Sequence, residues 1–299
     1  MNDKHIDTLV EDIQKTLTEG VEGYDNDWFG RYVHNVFTRR VLPDNRDGVA
    51  RVWFSNVGGP CVRKLWYKLH ASDRAEPLHP NARLKFLYGD IIEGLVLELA
   101  RASGHDIACE QKRVEWNGIT GRIDAIIDGV LVDVKSASSH SFKKFRGGLK
   151  SEDDSFGYIG QLGGYLLALK EIGCEELKEK NKAAYLVIDK VNGALHLDVH
   201  EFSDEYLDEL HDILILNKDT AENETEVPER AFHPVPEGKS GNMVLSTNCS
   251  YCDFKKVCWP SLRTFMYSGN KPKFFTEIIK EPKVPEIIEE GDLDDGKQS

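Results

Sequence analysis

GRIDAIIDGVLVDVKSA, residues 121–137, decides the fold. Two apolar-rich runs flank Asp128-Gly129, a dipeptide suited to the positive φ angles of a tight two-residue turn, so the stretch reads as a β-hairpin. That turn sets the register and places Asp124 directly opposite Asp133. Strand alternation puts Ile123, Ala125, Ile127, Val130, Val132 and Val134 on one face, all apolar and fit for burial. Arg122, Asp124, Ile126, Leu131, Asp133 and Lys135 share the other.

Opposed hairpin residues have Cβ atoms about 4.5–5.5 Å apart, where like charges destabilise the pair. Two facing carboxylates on a core hairpin therefore need a counter-charge, and a hard divalent cation such as Mg²⁺ takes carboxylate oxygens. A solvated polar face with a chance Asp pair is the plain alternative. Lys135, two residues past Asp133, points to the same side, where an ammonium steadies a developing anion or orients a water.

Ile123-Asp124 followed by Asp133-Val134-Lys135 resembles the Asp…(Asp/Glu)-x-Lys core of the PD-(D/E)XK nuclease superfamily, with Ile123 where Pro is usual. Upstream, Leu84, Leu87, Ile91, Leu95, Leu97 and Leu99 predict a long helix over Asn81–Ser103. It carries Gly89-Asp90-Ile-Ile-Glu93, similar to the Gly-x-x-x-His element of RecB-type nucleases with Glu93 at the His position. The resemblance implies that Glu93, Asp124, Asp133 and the Val134 carbonyl hold Mg²⁺ or Mn²⁺. Asp90, one helical turn from Glu93, is the alternative ligand.

A helix is expected over Ser155–Ile172, with Leu162, Leu166 and Leu169 against the sheet. Its Gln161-x-x-x-Tyr165 resembles a further RecB-type motif, which implies that Gln161 and Tyr165, with Tyr158, hold a DNA strand. Gly157, Gly160, Gly163 and Gly164 cost this helix up to ~1 kcal/mol each relative to Ala. Such a cost implies a close approach by the sheet or by DNA. The intervening SSHSFKKFRGGLKSEDD reads as a charged loop. Its Lys143, Lys144 and Arg146, interleaved with Phe142 and Phe145, suit a phosphate track with stacking rings.

Cys249-Ser-Tyr-Cys252 and Cys258 give a Cys-x₂-Cys-x₅-Cys pattern, and Cys61, in the first turn of a helix whose start Ser55 and Pro60 signal, is the natural fourth member. Four thiolates hold a [4Fe–4S] cluster or a zinc ion. The arrangement is similar to the iron–sulfur staple of AddB-type and CRISPR-adaptation nucleases, which implies a [4Fe–4S] cluster, zinc being the alternative. Cys109 and Cys174 fall outside the pattern and read as structural.

The remaining chain sets the frame. Residues 1–50 predict two helices, the second over Trp28–Val41, and an LPDNRDG loop; no chemistry is assigned there. Ile107–Trp116 predicts a strand that turns at Asn117-Gly118 into the hairpin, making a three-stranded meander. Ala183–Lys190 and Ala194–Glu201 flank Asn192-Gly193 as a second hairpin, with a parallel crossover onto the first sheet. Ser203 caps a helix to about Asn217, and residues 219–241 read as loop. The expected architecture is α/β: a restriction-endonuclease-like core with a mixed central sheet flanked by helices. Residues 1–50 form a helical extension, 51–265 the nuclease domain closed by the cysteines, and 274–299 an acidic, disordered tail.

With 299 residues, 40% hydrophobic and 30% charged, the composition is that of an ordinary globular protein. The net charge of −13 argues against indiscriminate nucleic-acid coating and leaves room for a local basic groove. No GxxxxGK[ST] phosphate loop occurs. No apolar run spans a bilayer, and the polar start lacks a signal peptide's apolar centre, so a cytoplasmic location is expected. The resemblance implies a metal-dependent exonuclease on single-stranded DNA ends, working with protein partners in recombination, repair or CRISPR adaptation. A structure-specific or double-strand endonuclease, or a non-catalytic iron–sulfur DNA-binding subunit, are the other readings.

Overall fold

The turn at Asp128-Gly129 forms as expected, with φ of 50° and 83°. In the computed structural model, residues 4–42, 50–269 and 271–288 are described. The chain divides into two compact units, one from Met1–Pro60 with Leu78–Asn223, the other from Cys61–Pro77 with Glu224 onward.

The first unit holds helices α1 (Leu9–Glu19), α2 (Trp28–Val41), α3 (Pro80–Ala102), α4 (Ser139–Arg146), α5 (Tyr158–Glu171) and α6 (Asp204–Asn223). Its strands are β1 (Ile107–Ala108), β2 (Arg113–Trp116), β3 (Ile119–Arg122), β4 (Ala125–Ile127), β5 (Val130–Ala137), β6 (Lys182–Asp189) and β7 (Leu195–Glu201). Five of them make a mixed sheet in the order β1-β4-β5-β6-β7, with β5 and β6 parallel and the other pairs antiparallel. The central β5 is paired on both sides, which suits its run of Val and Leu.

One sheet face carries Ala125, Ile127, Val130, Val132, Val134, Ala184 and Leu186, buried against Ile6, Leu9 and Ile13 near the N-terminus and Val96, Leu97 and Ala100 of α3. The N-terminal helices thus build the core. On the opposite face Tyr185 meets Phe145 of α4 edge-on at 5.3 Å. Buried His105 ties α1 to the hairpin turn, with Nδ1 2.6 Å from Asp128 and Nε2 3.3 Å from Asp12.

Three expectations change. The strand expected over Ile107–Trp116 breaks at Cys109 and Gln111, both left-handed at φ 56° and 55°. Consequently β1 joins the main sheet, while β2 and β3 form a separate hairpin around Asn117-Gly118. The polar segment after β5, expected as a loop, is helix α4, capped when the Ser141 N–H donates to Ser138 Oγ at 3.3 Å. Helix α6 runs on to Asn223, six residues beyond the expected end at Asn217.

The glycines of α5 admit neither sheet nor DNA. A Cβ at Gly160 would lie 2.7 Å from the Gly58 carbonyl oxygen, one at Gly163 would meet Leu210 of α6, and one at Gly164 would meet Phe54. Gly160→Ala is expected to destabilise the protein by ~1–3 kcal/mol, because a backbone cannot yield as a side chain can. Urea unfolding checks this; a variant as stable as wild type would refute the tight contact.

In the second unit, β8 (Val235–Pro236), β9 (Met243–Val244), β10 (Arg263–Tyr267) and β11 (Lys271–Glu277) form an antiparallel sheet in the order β10-β11-β9-β8. The tail expected as disordered from residue 274 is ordered at its start. Phe274 and Phe275 lie in β11, and buried Phe275 packs edge-on against Phe265 at 5.2 Å. Arg263 bonds Glu281 and Glu286, and the Ile279 and Lys280 N–H groups donate to Asn242 Oδ1. The rest of that tail, 289–299, and most of the LPDNRDG loop lie outside the described residues.

Candidate active site and cysteine cluster

The β4–β5 ladder ends at the pair Ala125 and Val132. One step further, Asp124 leaves the ladder, and its side chain replaces its backbone: Oδ2 accepts the Val134 N–H at 2.7 Å. On β5, buried Asp133 meets the Lys135 ammonium at 2.5 Å. The same ammonium lies over the Tyr158 ring, 4.7 Å from its centre, so the ring face helps to hold the cation. The oxygen that meets the ammonium is Oδ2 of Asp133.

Glu93 on α3 completes the acidic group. Its Oε1 accepts from the Tyr32 hydroxyl at 2.9 Å and from Gln111 Nε2 at 2.5 Å. Gln111 also donates its backbone N–H to the Asp124 carbonyl at 3.0 Å. One loop residue therefore positions two of the three carboxylates. Asp90, the alternative ligand, is otherwise engaged: Arg39 and Arg40 both bond it at 2.8 Å. Neither Tyr32, Gln111 nor the two arginines carries a motif, and the sequence reading assigned them nothing.

The carboxylates repel one another out of water. Desolvation, then Glu93 and Asp133, raise Asp124 well above the usual Asp value, against the pull of Lys135. Desolvation pushes Glu93 up to about 7, opposed by the Tyr32 hydrogen bond and reinforced by Asp90 and Asp133. Desolvation alone would lower Lys135, but Asp133 first, then Tyr158 and Asp124, hold it above the usual lysine value. Lys135 is thus a fixed cation at neutral pH rather than a proton acceptor.

These shifts carry a sign. A carboxyl raised in the folded state stabilises it fully below the unfolded pKa, near 4.5 for Glu93, and that contribution is lost as pH rises through about 7. Chelator-treated protein should therefore lose on the order of 1–3 kcal/mol of unfolding free energy between about pH 5 and about pH 8. Added Mg²⁺ should restore more at the higher pH. Urea titrations across that range check it; stability that is flat or rises with pH would contradict it.

The expected strand-holding residues are less uniform. Tyr165 is buried, packs tilted against Phe54 at 4.8 Å and accepts the Arg122 N–H at 3.1 Å, so its ring offers no open face for a base. Gln161, half-buried, lies beside the Tyr165 hydroxyl. Phe142 and Phe145 are core residues, not stacking rings. Lys143 and Arg146 are exposed on α4, while Lys144 binds the Asp153 carbonyl at 3.0 Å. Arg122, which the sequence reading did not single out as a binding residue, is an exposed guanidinium in the field of Glu93 and Asp124.

Residues 9–259 match the family model described as the PD-(D/E)XK nuclease superfamily. The chain belongs to that superfamily. No curated protein matches it. Among solved structures, this PD-(D/E)XK protein is similar to one titled SSO0001, at 17% identity and TM-score 0.43, covering 77% of this chain and 94% of that one. It is also similar to an alkaline exonuclease, LHK-Exo, from Laribacter hongkongensis, at 14% identity and TM-score 0.36, covering 63% and 92%. A structure of LHK-Exo in complex with dAMP gives 12% identity and TM-score 0.38 over the same shares. No helix among the described residues is long and apolar enough to cross a membrane.

All four cysteines of the expected cluster lie in the second unit of this PD-(D/E)XK protein. Cys61 is the N-cap of helix Val62–His70, just before the first turn where it was expected. Cys249 and Cys258 sit on two short turns of helix, Thr247–Ser250 and Lys255–Cys258, with Cys252 between them, and the Phe254 N–H points at Cys252 Sγ, 3.4 Å away. Tyr67 stacks on Phe254 at 5.4 Å, bringing the Cys61 helix onto the Cys252 turn. Desolvation raises the Cys249 thiol, reinforced by Cys61 and Cys258. Desolvation also pushes Cys252 up to about 11; the Phe254 N–H and Lys64 oppose this, and Cys61 adds to it. Cys249 thus lies within the field of Cys61 and Cys258, and Cys252 within that of Cys61.

Proposed function

We propose that this protein is a Mg²⁺- or Mn²⁺-dependent deoxyribonuclease, an exonuclease acting on single-stranded DNA ends. The observation that carries it is the meeting of Asp124, Asp133 and Glu93 with the Lys135 cation where the β4–β5 ladder opens. Three hard oxygen donors, of which Asp124 and Glu93 are raised by burial and by their acidic neighbours, suit a divalent ion. Glu93, Asp124, Asp133 and the Val134 carbonyl would hold it, and when bound it supplies Lewis-acid stabilisation and a more acidic water. Lys135, kept protonated by Asp133, orients the attacking water and offsets charge on the phosphoryl group. Gln111 and Tyr32 fix Glu93, the Val134 N–H fixes Asp124, and buried Tyr165 fixes Arg122 through its backbone. Arg122, Lys143 and Arg146 offer phosphate contacts, with Gln161 and Tyr158 nearer the reacting centre.

Cys61, Cys249, Cys252 and Cys258 would hold a [4Fe–4S] cluster that cross-links the second unit. The Cys-x₂-Cys-x₅-Cys spacing with a distant fourth cysteine supports the cluster over zinc by its resemblance to the iron–sulfur staple. Lys64 lies close enough to lower the Cys252 thiol and so offsets thiolate charge. By resemblance, the enzyme acts in the cytoplasm with the protein partners of recombination, repair or CRISPR adaptation.

End-labelled linear and closed-circular single strands, incubated with anaerobically purified protein and Mg²⁺ or Mn²⁺, test the proposal. Metal-dependent loss of linear strands alone is expected, and the labelled end gives the polarity. Cutting of circles would make the enzyme an endonuclease. Folded, cluster-bearing protein that cuts neither would point to a binding subunit.

A further inference from the structure

Cys109 and Cys174, outside the four-cysteine pattern, come together in the first unit. Cys109 follows β1, and Cys174 follows α5, where its N–H donates to the Leu169 carbonyl. Cys174 Sγ lies 3.2 Å from Glu176 Oε2. Ligand atoms of Cys109, Cys174 and Glu176 all fall within 4.8 Å of one another, the one such set among the described residues. We propose that these three side chains form a second, soft-metal site that binds zinc, separate from the site for Mg²⁺ or Mn²⁺.

Four features support it. Two thiolates and a carboxylate select zinc over magnesium. Tetrahedral zinc needs its ligand atoms about 3.4–3.8 Å apart, so the set closes with a shift of about 1 Å or less. Cys109 occupies the left-handed region at φ 56°, a conformation costly for a side chain with a Cβ. Such strain persists where the surroundings fix it for a purpose. Finally, Lys112 Nζ stands 3.7 Å from Cys109 Sγ, where it balances the single negative charge that three anionic ligands leave on a dication.

The ion has an entry path and a consequence. Exposed Glu176 also lines an open cleft of about 510 Å³ with Ala108, Asp106, Glu175 and Lys178, so solvent reaches one of the three ligands. Binding releases the two thiol protons to solvent. The Lys112 N–H donates to the Cys109 carbonyl across a tight turn that contains Gln111. Gln111 in turn holds Glu93 and the Asp124 carbonyl. Zinc on Cys109 would brace that turn. The brace matters to cleavage only if the nuclease reading holds; the binding itself does not depend on it.

Zinc content by plasma mass spectrometry tests the site, comparing full-length wild type with Cys109→Ser/Cys174→Ser after equilibration with zinc in slight excess over all the cysteine sites and removal of unbound metal. Wild type should hold one zinc per chain more than the double variant, whose other four cysteines cancel in the difference. Glu176→Gln, an exposed change that spares the core, should weaken this zinc about 10–100-fold against a chromophoric chelator. Equal zinc in wild type and double variant overturns the proposal. So does a Cys109–Cys174 disulfide, seen in intact mass as two hydrogens lost in wild type, that persists in purified protein under mild reductant.

Discussion

Lys135→Met is expected to lower DNA cleavage by about 10²–10³-fold at saturating metal, the usual cost of removing one aligned charge-stabilising donor. Methionine keeps much of the side-chain volume, so packing against Tyr158 survives while the charge goes. A second effect follows from the 2.5 Å pair with buried Asp133. Without its ammonium the carboxylate is buried unpaired, a situation that costs up to ~3–5 kcal/mol. In chelator the variant should be clearly less stable than wild type, and Mg²⁺ should recover most of the difference by taking the place of the missing charge. Single-turnover cleavage and urea unfolding with and without Mg²⁺ separate the two effects. Wild-type cleavage by the variant would remove Lys135 from the chemistry. Equal stability in chelator would mean that the ion pair is solvated.

What the sequence made legible was local. The Asp128-Gly129 turn is set by two adjacent residues that tolerate positive φ, and it fixes the register of every residue in the hairpin. The helix over Trp28–Val41 and the parallel crossover from β5 to β6 follow equally from short-range pattern and chain order. The support for the carboxylates was not legible, because it arrives from afar: Tyr32 reaches Glu93 across 61 residues and Gln111 across 18. Left-handed Cys109 and Gln111 broke an expected strand without a glycine to announce it. In α4 the polar composition hid a simple helical pattern, Phe142 and Phe145, three apart on one buried face. The acidic C-terminal segment misled in the same way, since Phe274 and Phe275, paired with β10, order its start despite the acidic residues that follow.

The same distance argument sets the largest effect expected in the second unit. Cys61 and Cys249 are 188 residues apart in the chain, so a cluster holding both closes a very long loop in the unfolded state. Four-thiolate metal sites contribute on the order of 10–16 kcal/mol, comparable with or above the whole stability of a typical domain, about 5–15 kcal/mol. Cys61→Ser should therefore abolish cluster incorporation and leave the second unit open to proteolysis from Glu224 onward. The first unit, whose sheet is covered by its own helices, should remain resistant. Visible absorbance, iron and sulfide analysis and limited proteolysis read these three outcomes separately. Full iron and sulfide in Cys61→Ser would show that another group is the fourth ligand. Loss of cluster with no gain in cleavage by protease would mean that the aromatic packing of Tyr67, Phe254, Phe265 and Phe275 holds the unit by itself. A colourless wild type carrying one zinc at these cysteines would keep the cross-link and change only its metal.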